Sequence, residues 1–135
     1  MRFSNTHIPY GCYWSTPFCK WQGSYANLHP LKFAAQVAQG ALSARHISPD
    51  VFDALHLGTT VPSKSSFYGA PWVAAMIGAE GITGPTIGQA CATSARVIAG
   101  AAFETEIGND ADPAILCITT DRTSNGPHIV YPNPH

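Results

Sequence analysis

Cys91 is the residue whose position in the sequence best fits a chemical role. It lies between a short predicted strand, Pro85 to Ala90, and a predicted helix of small residues that begins at Ala92. A strand–turn–helix junction exposes a nucleophile, as in a nucleophile elbow, here with sulfur in place of oxygen. The unpaired N–H groups and partial positive charge at a helix start favour a thiolate and can stabilise an oxyanion. The sequence thus predicts a nucleophilic thiol at position 91. The open alternative is a small buried cysteine in an α/β core.

The other three cysteines, Cys12, Cys19 and Cys117, have no spacing that suggests a shared site. No two cysteines form a Cys-x-x-Cys pair, and no histidine stands at zinc-finger distance, so no metal site is predicted. A larger chain with few cysteines also has no need of a disulfide framework. We therefore expect four free thiols.

The sequence does not identify a general base. His29 and His128 lie in predicted loops and are candidates only because imidazole titrates near neutral pH. Surface or capping roles are the simpler interpretation of both. Asp121 and Arg122 follow a predicted strand, and we expect a structural pair or an interface contact there. Arg96, within a predicted buried helix, should pair with a carboxylate or with backbone carbonyls.

The aromatic loop near the N-terminus has two possible roles. Its side chains could stack on an adenine ring, but a packed loop or a subunit contact is the simpler interpretation. The residues concerned are Tyr13, Trp14, Phe18, Trp21 and Tyr25.

The elements that must position these residues alternate between strand and helix. The pattern predicts an α/β fold of βαβαβαβ order, a layered sheet of largely parallel strands with helices on both faces. We assign residues 1–120 to this domain and residues 121–135 to a Pro-rich loop or arm that leaves it. The helix from Ala92 to Ile107 is apolar nearly all round, which predicts burial. The predicted strands are Phe3–Cys12, Phe52–Thr60, Pro85–Ala90 and Ala114–Thr120; the first two helices run from Pro30 to about Leu42 and from Pro71 to Gly78.

Composition and charge exclude several classes of protein. The chain has 135 residues, of which 45% are hydrophobic and 11% charged, with a net charge of −1. An average domain carries about 25% charged residues. Disorder, and an electrostatic surface for nucleic acid or a membrane, are therefore not expected. Part of so weakly charged a surface should be covered by partners or by more of the same protein. No targeting segment is visible, and no apolar run is long enough to span a bilayer, so we expect a cytoplasmic protein.

Several stretches, in the right order, resemble the N-terminal part of a thiolase. The segment from Gly88 to Ser94 is similar to the family's Asn-Arg-x-Cys-x-Ser-Gly, with Cys91 at the cysteine. The segment from Ser15 to Ser24 looks like Arg-Thr-Pro-Phe-Gly-Lys-Phe-x-Gly-Ser. The segment from Ile118 to Pro127 is similar to the family's Glu-Ser-Met-Ser-Asn-Ala-Pro stretch after the fourth strand. The similarity extends over most of residues 10–128.

The resemblance implies a specific activity. Thiolases form or cleave a carbon–carbon bond between acyl groups held as coenzyme A thioesters, without a permanently bound cofactor. Cys91 would then carry the acyl group as a thioester, and its own backbone N–H would help to hold the oxyanion. The family also forms dimers through the strand that precedes the nucleophile, which implies a contact near Pro85 to Ala90.

The sequence also departs from the family. Gln89 stands at the usual Arg, Gly88 at Asn, Ser94 at Gly and Cys19 at Gly, which bears on substrate preference and loop geometry. A thiolase is much longer, and the Asn-Glu-x-Phe, Gly-His-Pro and Cys-x-Gly-Gly-Gly stretches of its second half are absent here. Three interpretations stay open. The chain is one subunit of a split thiolase that forms a hetero-oligomer with a chain carrying the second half, a piece of a longer enzyme, or a non-catalytic thiolase-like structural subunit.

Overall fold

Three parallel strands form a sheet in the part of the chain that the structure describes. A computed structural model describes residues 3–61, 66, 68–108 and 112–122. The strands pair in the order β2–β1–β3. The α/β class predicted from the sequence is confirmed. The elements are α1 (Pro30–Ser43), β1 (Ala54–Gly58), α2 (Gly69–Ile77), β2 (Thr86–Ile87), α3 (Thr93–Ile107) and β3 (Ile115–Thr119), with short 3₁₀ turns at Pro49–Val51 and Ala90–Ala92.

The central strand β1 presents different side chains to the two faces of the sheet. Leu55 and Leu57 belong to a core shared with α1 and α2, and both are fully buried. His56 and Gly58 point to the opposite face, where they contact α3. This alternation follows from the two-residue period of a strand. It confirms the prediction of helices on both faces.

Helices α1 and α2 cover one face as the sequence predicts. The buried residues of α1 recur at helical spacing, and Pro30 occupies its first turn, where the missing N–H costs nothing. Gly78 ends α2 in a left-handed conformation, with φ of 90°. The buried core of this face comprises Leu31, Ala34, Ala35, Ala38, Leu42, Leu55, Leu57, Ala70, Val73, Ala74, Ile77, Ala79, Leu116 and Ile118.

Helix α3 covers the other face of the sheet. It packs closely on β1, because a Cβ atom at Gly58 would lie only 2.8 Å from Val97 Cγ2. Only one side of α3 is buried, however, and Ile98 is 48% and Ile107 73% exposed. The prediction of burial all round does not hold among the described residues. The outer side of α3 around Arg96 and Ile98 is left uncovered, and only its C-terminal end is covered, by residues 3–6.

The prediction of a first strand over Phe3–Cys12 is wrong. These residues form no strand, and the first four of them, 3–6, lie against the C-terminal part of α3. The Glu106 carboxylate accepts hydrogen bonds from the backbone N–H groups of Ser4 and Asn5 at 2.9–3.0 Å, and the Thr6 hydroxyl donates to Ala102 O at 2.9 Å. The Glu106 carboxylate therefore takes the place of the strand partner that the β-forming residues suggested.

The end of the described chain remains in contact with the domain. Asp121 and Arg122 hydrogen-bond to other loops, while residues 123–135, which make up most of the predicted arm, lie outside the described residues. Among the helices in the described ranges, none has the length and apolar character needed to cross a membrane.

Candidate active site around Cys91

The carboxyl ends of the three strands meet at one edge of the sheet, the usual location of sites in α/β folds. The loops after the strands are joined to each other there. Thr59 N donates to Ile87 O at 3.0 Å, and Thr120 N donates to Gly58 O at 2.9 Å. Cys91 follows β2 at this edge.

Cys91 lies in the 3₁₀ turn that leads directly into α3. Its side chain is exposed, and the thiol is free. The preceding residue, Ala90, has φ of 45°, in the left-handed region that non-glycine residues seldom occupy. The predicted strand–turn–helix junction with an accessible thiol is therefore what the structure shows.

Thr93, two residues after Cys91, closes this turn. Its Oγ1 accepts a hydrogen bond from Gln89 N at 2.7 Å and donates one to Ala90 O at 2.8 Å. The residue is only 5% exposed. This role was not predicted from the sequence, because the hydroxyl bonds backward to residues of the turn and caps neither helix.

Asp121 organises the loop after β1 rather than pairing with Arg122. Its carboxylate accepts hydrogen bonds from the backbone N–H groups of Thr60 at 2.8 Å and Val61 at 2.9 Å, and from the Thr60 hydroxyl. Arg122 instead donates from Nη1 to Ala26 O at 3.1 Å. Each residue thus connects different loops at the carboxyl edge.

Among the described residues, no general base is in hydrogen-bond contact with Cys91. Within them, no hydrogen bond or ion pair joins Cys91 to a histidine. His29, the candidate from the sequence, packs edge-on against Trp72 at 5.4 Å between ring centroids. His128 lies outside the described residues.

His56, which was not among the candidate residues predicted from the sequence, is buried under α3. Only 1% of it is exposed, and its Nε2 lies 3.2 Å from Glu104 Oε2. The stretch Leu55-His56-Leu57 could have predicted this position, because alternation along a strand places His56 on the opposite face from the two leucines. Arg96, by contrast, is exposed and makes no ion pair in the described part of the chain, because its side of α3 is uncovered.

The other cysteines differ from Cys91 in their surroundings. All four thiols are free, as expected. Burial, together with the negative charge of Glu104, raises the pKa of Cys117 to about 11. Cys19 is exposed, and desolvation together with a hydrogen bond to the Cys19 side chain raises the pKa of Tyr25. No group of three or more potential metal ligands occurs within the described ranges.

The aromatic loop divides into packed and exposed side chains. Trp14 lies under the Arg45 guanidinium, 5.5 Å from the ring centroid, and Tyr25 packs on Phe33 at 4.7 Å. Phe18 is fully exposed and Trp21 is 62% exposed. The packed-loop interpretation therefore fits only part of this segment.

The fold is similar to that of several solved thiolase structures. An acetyl-CoA acetyltransferase from Bacillus anthracis matches 82% of this chain with a TM-score of 0.70 and 22% identity, and one from Syntrophomonas wolfei matches 85% with 0.69 and 18%. Human mitochondrial 3-ketoacyl-CoA thiolase in complex with CoA matches 66% of the chain, with a TM-score of 0.58 and 28% identity. This chain has part of the thiolase fold. No protein-family model and no curated protein sequence matches it.

The similarity covers only a fraction of each of these proteins. The chain spans 28% of the Bacillus enzyme, 29% of the Syntrophomonas enzyme and 23% of the human thiolase. The thiolase-like part seen here would therefore account for less than a third of such an enzyme.

Proposed function

We propose that this chain is the N-terminal half or subunit of a thiolase-type acyltransferase, with Cys91 as the acyl carrier. The observation that carries the proposal is the exposed Cys91 thiol at the start of α3, at the carboxyl edge of a parallel sheet whose fold is similar to acetyl-CoA acetyltransferases. An exposed thiol at a helix N-terminus is the setting in which cysteines act as nucleophiles.

The proposed first step is a transthioesterification. The Cys91 thiolate attacks the carbonyl carbon of an acyl-CoA and forms a tetrahedral oxyanion. The carbon–sulfur bond to coenzyme A then breaks, and the coenzyme A thiolate leaves as the thioester forms on Cys91. In synthesis, a carbanion formed from a second acyl-CoA attacks this thioester, a carbon–carbon bond forms and the Cys91 thiolate leaves. In thiolysis, the Cys91 thiolate instead attacks the 3-keto carbon of a 3-ketoacyl-CoA, the carbon–carbon bond breaks and the departing acetyl-CoA carbanion takes up a proton. A coenzyme A thiolate then displaces the acyl group from Cys91.

The residues of this chain supply part of the chemistry. N–H groups at the start of a helix can hydrogen-bond the oxyanion, and the Cys91 backbone N–H is the proposed donor. The base that activates the thiol and the acid/base for the carbanion are assigned to the second half, because no base contacts Cys91 within the described residues.

The proposed partner is a chain, or the remainder of a longer protein, that carries the second thiolase half. The small share of each related structure that is matched supports it. We also propose a subunit contact near Pro85 to Ala90. Strand β2 lies at an edge of the sheet and Thr86 is exposed, so backbone groups along one side of this strand can pair with another chain.

The test is to trap the acyl-enzyme. The native assembly is incubated with acetyl-CoA, digested at low pH and searched by peptide mass spectrometry for an acetyl thioester. We expect the acetyl group on Cys91, and its loss in Cys91→Ala with assembly unchanged. Cys19→Ala is the matched control, because Cys19 is also exposed and free. A Cys91→Ala variant with wild-type acyl transfer would refute the proposal.

A second candidate is a non-catalytic thiolase-like structural subunit. The departures Gly88, Gln89 and Ser94 around the cysteine favour it. It predicts that Cys91 stays free of acyl groups in the intact assembly, so the same experiment distinguishes the two.

A further inference from the structure

The turn that carries Cys91 is held in a conformation that its own residues do not favour. Ala90 has φ of 45° and is exposed, and its Cβ makes this region sterically unfavourable. A residue with such a backbone keeps it only when its surroundings enforce it. Something next to Ala90 must therefore hold the turn.

Thr93 is the residue in contact with both sides of this turn. Its hydroxyl uses both hydrogen-bonding capacities, accepting from Gln89 N at 2.7 Å and donating to Ala90 O at 2.8 Å. The two bonds therefore bracket residues Gln89 and Ala90, from the N–H of the first to the carbonyl of the second. They also fix the direction in which the chain enters Cys91.

The methyl group of the same residue anchors the turn to the sheet. A Cβ atom at Gly58 would lie 2.9 Å from Thr93 Cγ2, so this methyl packs directly on the backbone of β1. Close by, a Cβ atom at Gly88 would lie 3.0 Å from Thr59 O. The Cys91 turn is thus positioned relative to the central strand as well as to α3.

We propose that Thr93 is a positioning residue for Cys91. Its hydroxyl holds Ala90 in the left-handed conformation, and its methyl fixes the turn against Gly58, so that the thiol stays at the start of α3. Without the hydroxyl, Gln89 N loses its acceptor, and Ala90 O keeps only the backbone N–H of Thr93 as a donor. Ala90 then relaxes to negative φ, and the thiol turns away from the N–H groups of the helix. The catalytic meaning of this role rests on the proposed function; the role itself is tested without acyl transfer.

The test compares Thr93→Val with Thr93→Ser in the full chain. Valine keeps the shape and removes the hydroxyl, whereas serine keeps the hydroxyl. Iodoacetamide labelling of each cysteine is followed by peptide mass spectrometry. We expect Thr93→Val to slow labelling of Cys91 relative to Cys19 by roughly three- to tenfold, and Thr93→Ser to stay within about twofold of wild type. An unchanged ratio in a folded Thr93→Val variant overturns the proposal.

Two controls distinguish a loss of positioning from a loss of the fold. One is the labelling rate of Cys117, and the other is a variant at the exposed residue Ala90. Rapid labelling of Cys117, which lies partly buried on β3 in the native protein, reveals a variant that has lost its fold. In that case Ala90→Pro is decisive, because proline fixes φ near about −65° at an exposed position and leaves Thr93 intact. We expect slower Cys91 labelling in Ala90→Pro but not in the matched Ala90→Gly; equal rates in these two variants would overturn the proposal. If positioning holds and no thioester forms on Cys91, only the proposed function fails.

Discussion

At the scale of single residues, the same side chain has different chemistry at different places in the fold. Cys91 is exposed at the start of a helix, whereas Cys117 lies on β3, partly buried and beside Glu104. Desolvation and a neighbouring negative charge both disfavour a thiolate, so the pKa of Cys117 rises to about 11. The structure therefore separates a candidate nucleophile from an inert thiol.

This difference predicts selective alkylation. At about pH 8, roughly a thousandth of Cys117 is thiolate, because its pKa lies three units higher. We expect iodoacetamide to label Cys91 and Cys19 while Cys117 stays unmodified. The measurement is a time course of peptide mass spectrometry, with the protein unfolded in urea as the control in which all four thiols react. Labelling of native Cys117 as fast as Cys19 would show that the thiol is not protected.

At the scale of elements, the close approach of α3 to β1 depends on glycine. A Cβ atom at Gly58 would lie 2.8 Å from Val97 Cγ2 and 2.9 Å from both Thr93 Cγ2 and Thr119 Cγ2. These distances are shorter than real Cβ contacts, so α3 or β3 would have to move. His56 and Glu104 add a contact between the same two elements further along, at 3.2 Å.

Gly58→Ala should therefore destabilise the domain by about 1–3 kcal/mol, as is usual for an overpacked core. Gly40→Ala is the matched control, because Gly40 lies in the exposed part of α1 and a Cβ there meets nothing within 4 Å. We expect the control to stabilise by roughly 0.5–1 kcal/mol through helix propensity. Urea unfolding of the two variants gives both values. Equal stabilities would mean that α3 does not pack on β1 as described.

At the scale of the whole molecule, the N-terminal segment is held by residues about a hundred positions later in the chain. The backbone N–H groups of Ser4 and Asn5, with the Ser4 hydroxyl, donate to Glu106 at the end of α3. Phe3 also packs edge-on against Phe103, at 5.4 Å between ring centroids. The backbone hydrogen bonds of Ser4 and Asn5 are the main causes that lower the pKa of Glu106 to about 2.

The attachment of the N-terminal segment to Glu106 should depend on pH. The folded pKa lies below the ordinary value of 4.5, so the attachment is fully present above about pH 4.5 and is lost as the pH falls through about 2. We expect the amide resonances of Ser4 and Asn5 to shift across that interval in an NMR titration, and to take their detached positions at all pH values in Glu106→Gln. Glu104→Gln, on the same helix, is the control and should leave both amides unchanged. Wild-type amide positions in Glu106→Gln would contradict the assignment.

Local patterns in the sequence determined much of the fold. Apolar residues at helical spacing behind Pro30 gave α1, the alternation around Leu55 and Leu57 gave β1, and the predicted strand–turn–helix order placed Cys91 at its junction. These features depend on hydrophobic periodicity and on proline and glycine chemistry, which act over a few residues.

Only the tertiary structure decided the remainder, because those outcomes depend on groups far apart in the chain. The segment after Phe3 has the residues of a strand, but its N–H groups donate to Glu106 instead. The contact of His56 with Glu104 and the half-exposed surface of α3 require knowing which elements pack together. Thr93 was visible as a helix-start residue, yet its contacts with both Ala90 and Gly58 arise only once α3 lies against β1.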